Sequence, residues 1–124
     1  MTLVCRGLRG ATTARANTRE AILEATREML ERLVEANGLQ KGSIAAAIFT
    51  TTRDLNAEFP AVAARQMGWE HVALLDGHEM DVPDAMPSCI RALVLVNTEK
   101  QAHELVNVYL RGAVNLRARG MEER

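Results

Sequence analysis

Three stretches of the chain hold residue types that neither a core nor a solvated surface readily explains. In Cys89-Ile90-Arg91-Ala92-Leu93-Val94-Leu95-Val96, a guanidinium interrupts an otherwise apolar run. Such a charge is expensive to bury unless it meets a carboxylate or faces a cavity that receives an anion. Glu79 and Asp81, in the segment before it, are the candidate partners for a structural ion pair. In Arg6-Gly7-Leu8-Arg9-Gly10-Ala11-Thr12-Thr13, two arginines stand three positions apart. On a strand they point in opposite directions, so one can face a pocket while the other faces water. The adjacent glycines would let a ligand come close to the backbone. A surface turn with two solvated arginines accounts for the same residues equally well. The third stretch, Glu79-Met80-Asp81-Val82, adds two carboxylates. Arginine forks match both oxygens of a carboxylate, so a site of this composition recognises an anion and acts electrostatically rather than by nucleophilic attack.

Other chemistries lack their residues. His78-Glu79 begins like a zinc-protease motif, but Val82 stands where its second histidine would be. His71, His78 and His103 have no metal-ligand spacing with Cys5 or Cys89, so a metal site is rejected. There is no glycine-rich phosphate loop, and no Gly-x-Ser-x-Gly elbow. A net charge of −1 gives no reason to expect nucleic acid or anionic membrane as a partner. No run of eighteen apolar residues and no signal-peptide pattern is present, and the expected location is cytoplasmic. Both cysteines sit beside apolar residues and are expected to be buried free thiols in a reducing compartment.

The elements that must position these residues follow from periodicity. Leu3 to Leu8 reads as a strand ended by Gly7 and Gly10. Thr18 to Ala36 is the clearest helix, with Ile22, Leu23, Met29, Leu30, Leu33 and Val34 on one face. Asn17 is placed to cap it, with Glu20 completing a capping box and Gly38 just past its end. Ile44 to Thr52 is a buried strand, Pro60 opens a short helix through Met67, and Val72 to Leu75 is a third strand. Asp76 to Ser88, with Gly77, Pro83 and Pro87, reads as a loop, and Cys89 to Val96 as a strand. Gln101 to Leu110 is expected to be the last helix and Val114 to Leu116 a final extended piece. The order β-α-β-α-β-β-α indicates a mixed β-sheet packed with helices, an α/β or α+β layer fold. Residues 1–124 form one domain, in which 117–124 is expected to be a mobile tail. A domain this small gains from burying further surface in an oligomer.

These residues resemble a known family. Arg6 to Thr13 is similar to the opening of the AroH class of monofunctional chorismate mutases. The resemblance continues through Asp54-Leu55-Asn56-Ala57-Glu58-Phe59-Pro60-Ala61 with Ala64-Arg65, then Glu79 to Val82 and Cys89-Ile90-Arg91. It ends in Val108-Tyr109-Leu110 and Ala113-Val114-Asn115-Leu116-Arg117, and so covers nearly the whole chain in order. The resemblance implies a chorismate-mutase-like homotrimer, a pseudo-α/β barrel with active sites at the subunit interfaces. It implies a pericyclic rearrangement of chorismate to prephenate that needs no cofactor. Arg91 would then donate to the ether oxygen, Arg9 would bind a substrate carboxylate with support from Tyr109, and Glu79 would accept from the ring hydroxyl. Phe59 and Leu116 would form apolar walls, and Arg65 and Arg117 would line the entrance.

Two departures stand out. Asp76 occupies a substrate-binding position where the family often has a small polar side chain such as cysteine; its carboxylate would accept from the ring hydroxyl but repel a dianionic substrate. Val62 stands where relatives carry a lysine, which removes one long-range positive charge. Two competing readings use the same scaffold, a non-catalytic trimeric module for a small anion and a trimer that hydrolyses enamines or imines. Neither requires Arg9, Glu79, Arg91 and Tyr109 together.

Overall fold

The computed structural model describes residues 2–116. Strand β1 (Val4–Thr13) leads into helix α1 (Arg19–Asn37), followed by β2 (Ile44–Thr51), the short helix α2 (Ala61–Gln66) and β3 (Ala73–His78). β4 (Cys89–Thr98) and a two-residue strand, β5 (Val108–Tyr109), complete one five-stranded sheet of order β3-β2-β4-β1-β5. β4 runs antiparallel to both β1 and β2, whereas β2–β3 and β1–β5 are parallel. The expected mixed sheet with helices is therefore the observed architecture.

One face of the sheet is covered. Ala21, Ile22, Ala25, Met29, Leu30 and Leu33 of α1 are buried, and with Leu8, Phe49, Ile90, Val94 and Val96 they make the core. Gly10 permits the close approach: a Cβ there would lie 2.9 Å from Leu33 Cδ1 and 3.0 Å from Met29 Cγ. This glycine makes room for the helix on one side, while on the other it lies in the lining of an open cavity. α1 ends at Gly38, whose φ of 60° is the left-handed conformation a glycine adopts freely. At its start the cap is Thr18, which accepts from the Ala21 amide, and not Asn17. Asn17 is turned toward the 56–57 backbone instead, accepting from both amides.

Three boundaries differ from expectation for one reason, that backbone groups on a sheet edge take partners distant in sequence. β1 continues past Gly7 and Gly10 to Thr13 because β4 pairs with it residue for residue to Cys89. β3 extends through Asp76, Gly77 and His78, which pair with Phe49, Thr50 and Thr51, so the loop starts only at Glu79. Gln101 to Leu110 is not a helix. A single 3-10 turn at Ala102–Glu104 gives way to extended chain, and Val108–Tyr109 pairs with Gly10–Ala11. β-branched Val106 and Val108 already favour extended backbone, and the open edge of β1 supplies the bonds. Val114 to Leu116 forms a tight turn rather than an extended piece. Of the cysteines, Cys89 is buried but Cys5 is exposed, because strand alternation turns it to the face of β1 opposite Leu8 and Gly10, which α1 does not cover; both are free thiols.

Candidate active site

The register places the chemistry on the face that the helices leave open. Ala11, Arg91 and Thr50 are direct cross-strand neighbours, Gly77 lies beyond Thr50 and Tyr109 beyond Ala11. The next row contains Arg9, Leu93, Ile48 and Leu75. Arg91 thus stands on the central strand, with Tyr109 and Arg9 toward the β5 edge. An open cavity of about 370 Å³ gathers Arg9, Glu79, Arg91, Tyr109 and Leu116 over a floor of Ile48, Thr50 and Leu93. Arg6, on the opposite face of β1, donates through Nε to the Lys100 carbonyl. The alternation expected for the two arginines is observed.

Glu79 is the organised acceptor of this cavity. Its Oε2 accepts from Thr50 Oγ1 and from Arg91 Nη1, each at 3.0 Å, and Oε1 accepts from the Met80 amide. Partial burial pushes the carboxyl up, but the Met80, Thr50 and Arg91 donors outweigh that and hold it below the ordinary value. Glu79 is therefore ionised at neutral pH. Of the two carboxylates considered for Arg91 it is the one that pairs; Asp81 instead lies 4.0 Å from Arg53. The Arg91 and Glu79 side chains retain 48% and 31% exposure, so the pair contributes at most about 1 kcal/mol and yields readily to an anion. The Tyr109 hydroxyl is buried and has no hydrogen-bond partner among the described residues. A buried hydroxyl in that state carries an unmet bond that a ligand can satisfy.

The remaining candidates lie elsewhere. Asp76 pairs with Phe49 on the covered face, so alternation sends it away from Glu79, and its Oδ1 accepts from the Ala61 amide at 3.0 Å. Burial pushes its carboxyl up, only partly offset by that amide and by the Arg65 charge. Asp76 and Phe59 line a second cavity, of about 360 Å³. Phe59 is 63% exposed at the end of a loop anchored by Asn17 and by an Arg19–Glu58 ion pair of 2.8 Å. Arg65 is exposed on α2 and lines neither cavity. Arg117 and the tail lie outside the described residues. Thr50, which helps hold Glu79, was not singled out from sequence, and Asn17 was read only as a helix cap. A threonine in an Ala- and Thr-containing strand carries no signal of its own.

The open face also bears apolar residues left exposed among the described residues: Leu75 is 62% exposed and Leu93 38%. Cys89, two residues before Arg91, is buried, and desolvation pushes its thiol up, which suits packing and not reactivity.

Comparison with known proteins gives one answer. The family model for chorismate mutase type I matches residues 5–119. The chain is 50% identical to Chorismate mutase AroH of Thermus thermophilus over 113 residues, covering 90% of this chain and 93% of that protein. It is 37% identical over 116 residues to Chorismate mutase AroH of Bacillus subtilis (strain 168), covering 93% and 91%. Its fold superposes on a chorismate mutase from Clostridium thermocellum with a TM-score of 0.86 and 45% identity, over 87% of this chain and 96% of the other. On this extent and identity, the chain belongs to the type I chorismate mutase family.

Proposed function

We propose that the protein is a chorismate mutase, an isomerase that rearranges chorismate to prephenate in aromatic amino acid biosynthesis. The observation that carries the reading is the arrangement on the open face. Arg91 stands on the central strand against a fixed carboxylate, with Arg9 and a buried Tyr109 hydroxyl that has no partner among the described residues in the same cavity. In this Claisen rearrangement the ether C–O bond breaks as a C–C bond forms, with no proton transfer and no covalent intermediate. Negative charge builds on the ether oxygen, and Arg91 donates to it. Arg9 binds a substrate carboxylate with Tyr109, Glu79 accepts from the ring hydroxyl, and Leu116 supplies an apolar wall.

A millionfold acceleration requires about 8 kcal/mol of stabilisation specific to the transition state. One preorganised donor at a developing oxyanion supplies about 3–4 kcal/mol, which makes Arg91 the largest single contributor. Selection of the compact conformer and fixing of the carboxylates supply the rest.

The functional unit is a homotrimer with sites between subunits. Two observations support it. The open sheet face exposes Leu75 and Leu93 as an apolar surface of the kind that subunit contacts cover. Phe59, Asp76 and Arg65 also lie outside the Arg91 cavity of their own chain: Phe59 and Asp76 line the second cavity, Asp76 on the sheet face opposite Glu79, and Arg65 lines neither. They complete a neighbour's site, Phe59 as an apolar wall and Arg65, with Arg117, at the entrance. Two free cysteines support a reducing, cytoplasmic setting. The test is the rate of chorismate loss by ultraviolet absorbance, in chelator, for the parent and Arg91→Ala. Saturable conversion lost in the variant is expected. A folded trimer that does not exceed the uncatalysed rate would sink the reading and leave an anion-binding module in its place.

A further inference from the structure

Tyr109 sits on a strand of only two residues at the edge of the sheet, paired to Gly10 and Ala11. What holds the chain leading into it is Asn37, the last residue of α1, which is 3% exposed. Asn37 Nδ2 donates to the carbonyls of Leu33 and Val106, both at 2.9 Å, and Oδ1 accepts from the Val106 amide at 2.8 Å. One side-chain amide thus satisfies both backbone groups of Val106, as a neighbouring strand would, and uses both of its own donors. On the other side of the segment, Asn107 Oδ1 accepts from the Arg9 amide at 2.8 Å. Val106 and Asn107 are otherwise exposed, so side-chain bonds replace the burial that normally fixes a chain.

We propose that Asn37, assisted by Asn107, is a positioning residue: it fixes the chain at 106–109 so that the Tyr109 hydroxyl is presented to the cavity beside Arg9. The inference rests on the mutase reading and assigns the origin of one part of that site. Without the staple, the edge segment samples other conformations, and a ligand must order it on binding. Affinity then falls. The breaking bond, beside Arg91 on the central strand, changes little.

Tyr109 is the only tyrosine in the chain, so the trimer grown with fluorotyrosine gives one fluorine NMR line that reports on it alone. Asn37→Ser is expected to raise KM about fivefold, the net worth of a hydrogen bond, while the fluorine line shifts or broadens. The turnover number kcat is expected to stay within about twofold, since the lost contact is made before the transition state as well as in it. In a Tyr109→Phe background the same substitution should change KM by less than about twofold, because the two residues act through one contact. Equal KM changes in both backgrounds, or an unmoved fluorine line, would overturn the proposal. Should Asn37→Ser fail to fold, Asn107→Ala removes only an exposed bond. It must still move the fluorine line and raise KM about twofold, and failing either overturns the proposal. A parent that converts no chorismate fails the activity reading, whereas an active parent with additive effects fails this inference alone.

Discussion

The two faces of the sheet are built from alternate residues of the same strands, yet they solve opposite problems. On the covered face, Leu8, Phe49, Ile90, Val94 and Val96 meet α1 with no residual exposure, and even one hydrogen at Gly10 stands in place of a side chain. On the open face, Arg91, Glu79, Arg9 and Tyr109 keep polar groups that the described residues do not satisfy in full. The difference teaches that stability and chemistry can be separated by a period of two. A strand can give every second residue to the core and leave the others for function.

That separation predicts which substitutions harm activity and which harm folding. The largest effect is expected on the open face. Arg91→Lys keeps the charge but loses the planar fork, and kcat should fall about a hundredfold or more while Tm barely changes. Near-normal turnover would break the assignment of Arg91 as the principal donor. On the covered face, Gly10→Ala places a methyl against Leu33 and Met29 and should cost about 1–3 kcal/mol in stability. Chemical denaturation measures it, and an unchanged midpoint would mean that α1 shifts at no cost.

A smaller effect is expected at Asp76, whose charge is held on the covered side by a single amide. Its carboxyl is raised in the folded chain, so the folded state binds the proton more tightly than the unfolded one. The stability it contributes is present below the unfolded carboxylate value, about pH 4, and is lost as pH rises through the higher folded value. Asp76→Asn keeps an oxygen for the Ala61 amide and removes the charge. Thermal melts should therefore show a gain of a few degrees at neutral pH that vanishes under acid conditions. A gain that persists unchanged at low pH would refute desolvation as its cause. The smallest effect concerns Val62, on α2. Restoring a cation by Val62→Lys should lower KM modestly for a dianionic substrate, and high salt should erase the gain. Unchanged saturation curves would show that no charge is missed there.

How much of this was legible depends on the range of the forces involved. α1 was readable because its apolar face repeats within one helix and Gly38 marks its end. Arg91 was readable because a charge in an apolar run demands an explanation, and its partner Glu79 lay close in sequence. The last segment was misread as a helix because its partners, Gly10, Ala11 and Asn37, are distant residues that no local pattern announces. Asp76 was placed in a loop because an edge strand tolerates polar residues and Gly77, which in isolation look like a turn.

By itself, the sequence determined the fold class, the family and the inventory of an arginine-rich, carboxylate-bearing site, since these depend on residue identity and local period. Tertiary structure alone decided that Glu79 and Asp76 face opposite ways. It also decided that Gly10 serves α1, that Tyr109 pairs with Ala11 at a sheet edge, and that Val106 before it is held by an amide from the far end of a helix. Strand register is set by hydrogen bonds between remote backbone groups, and a shift of one residue would exchange the two faces.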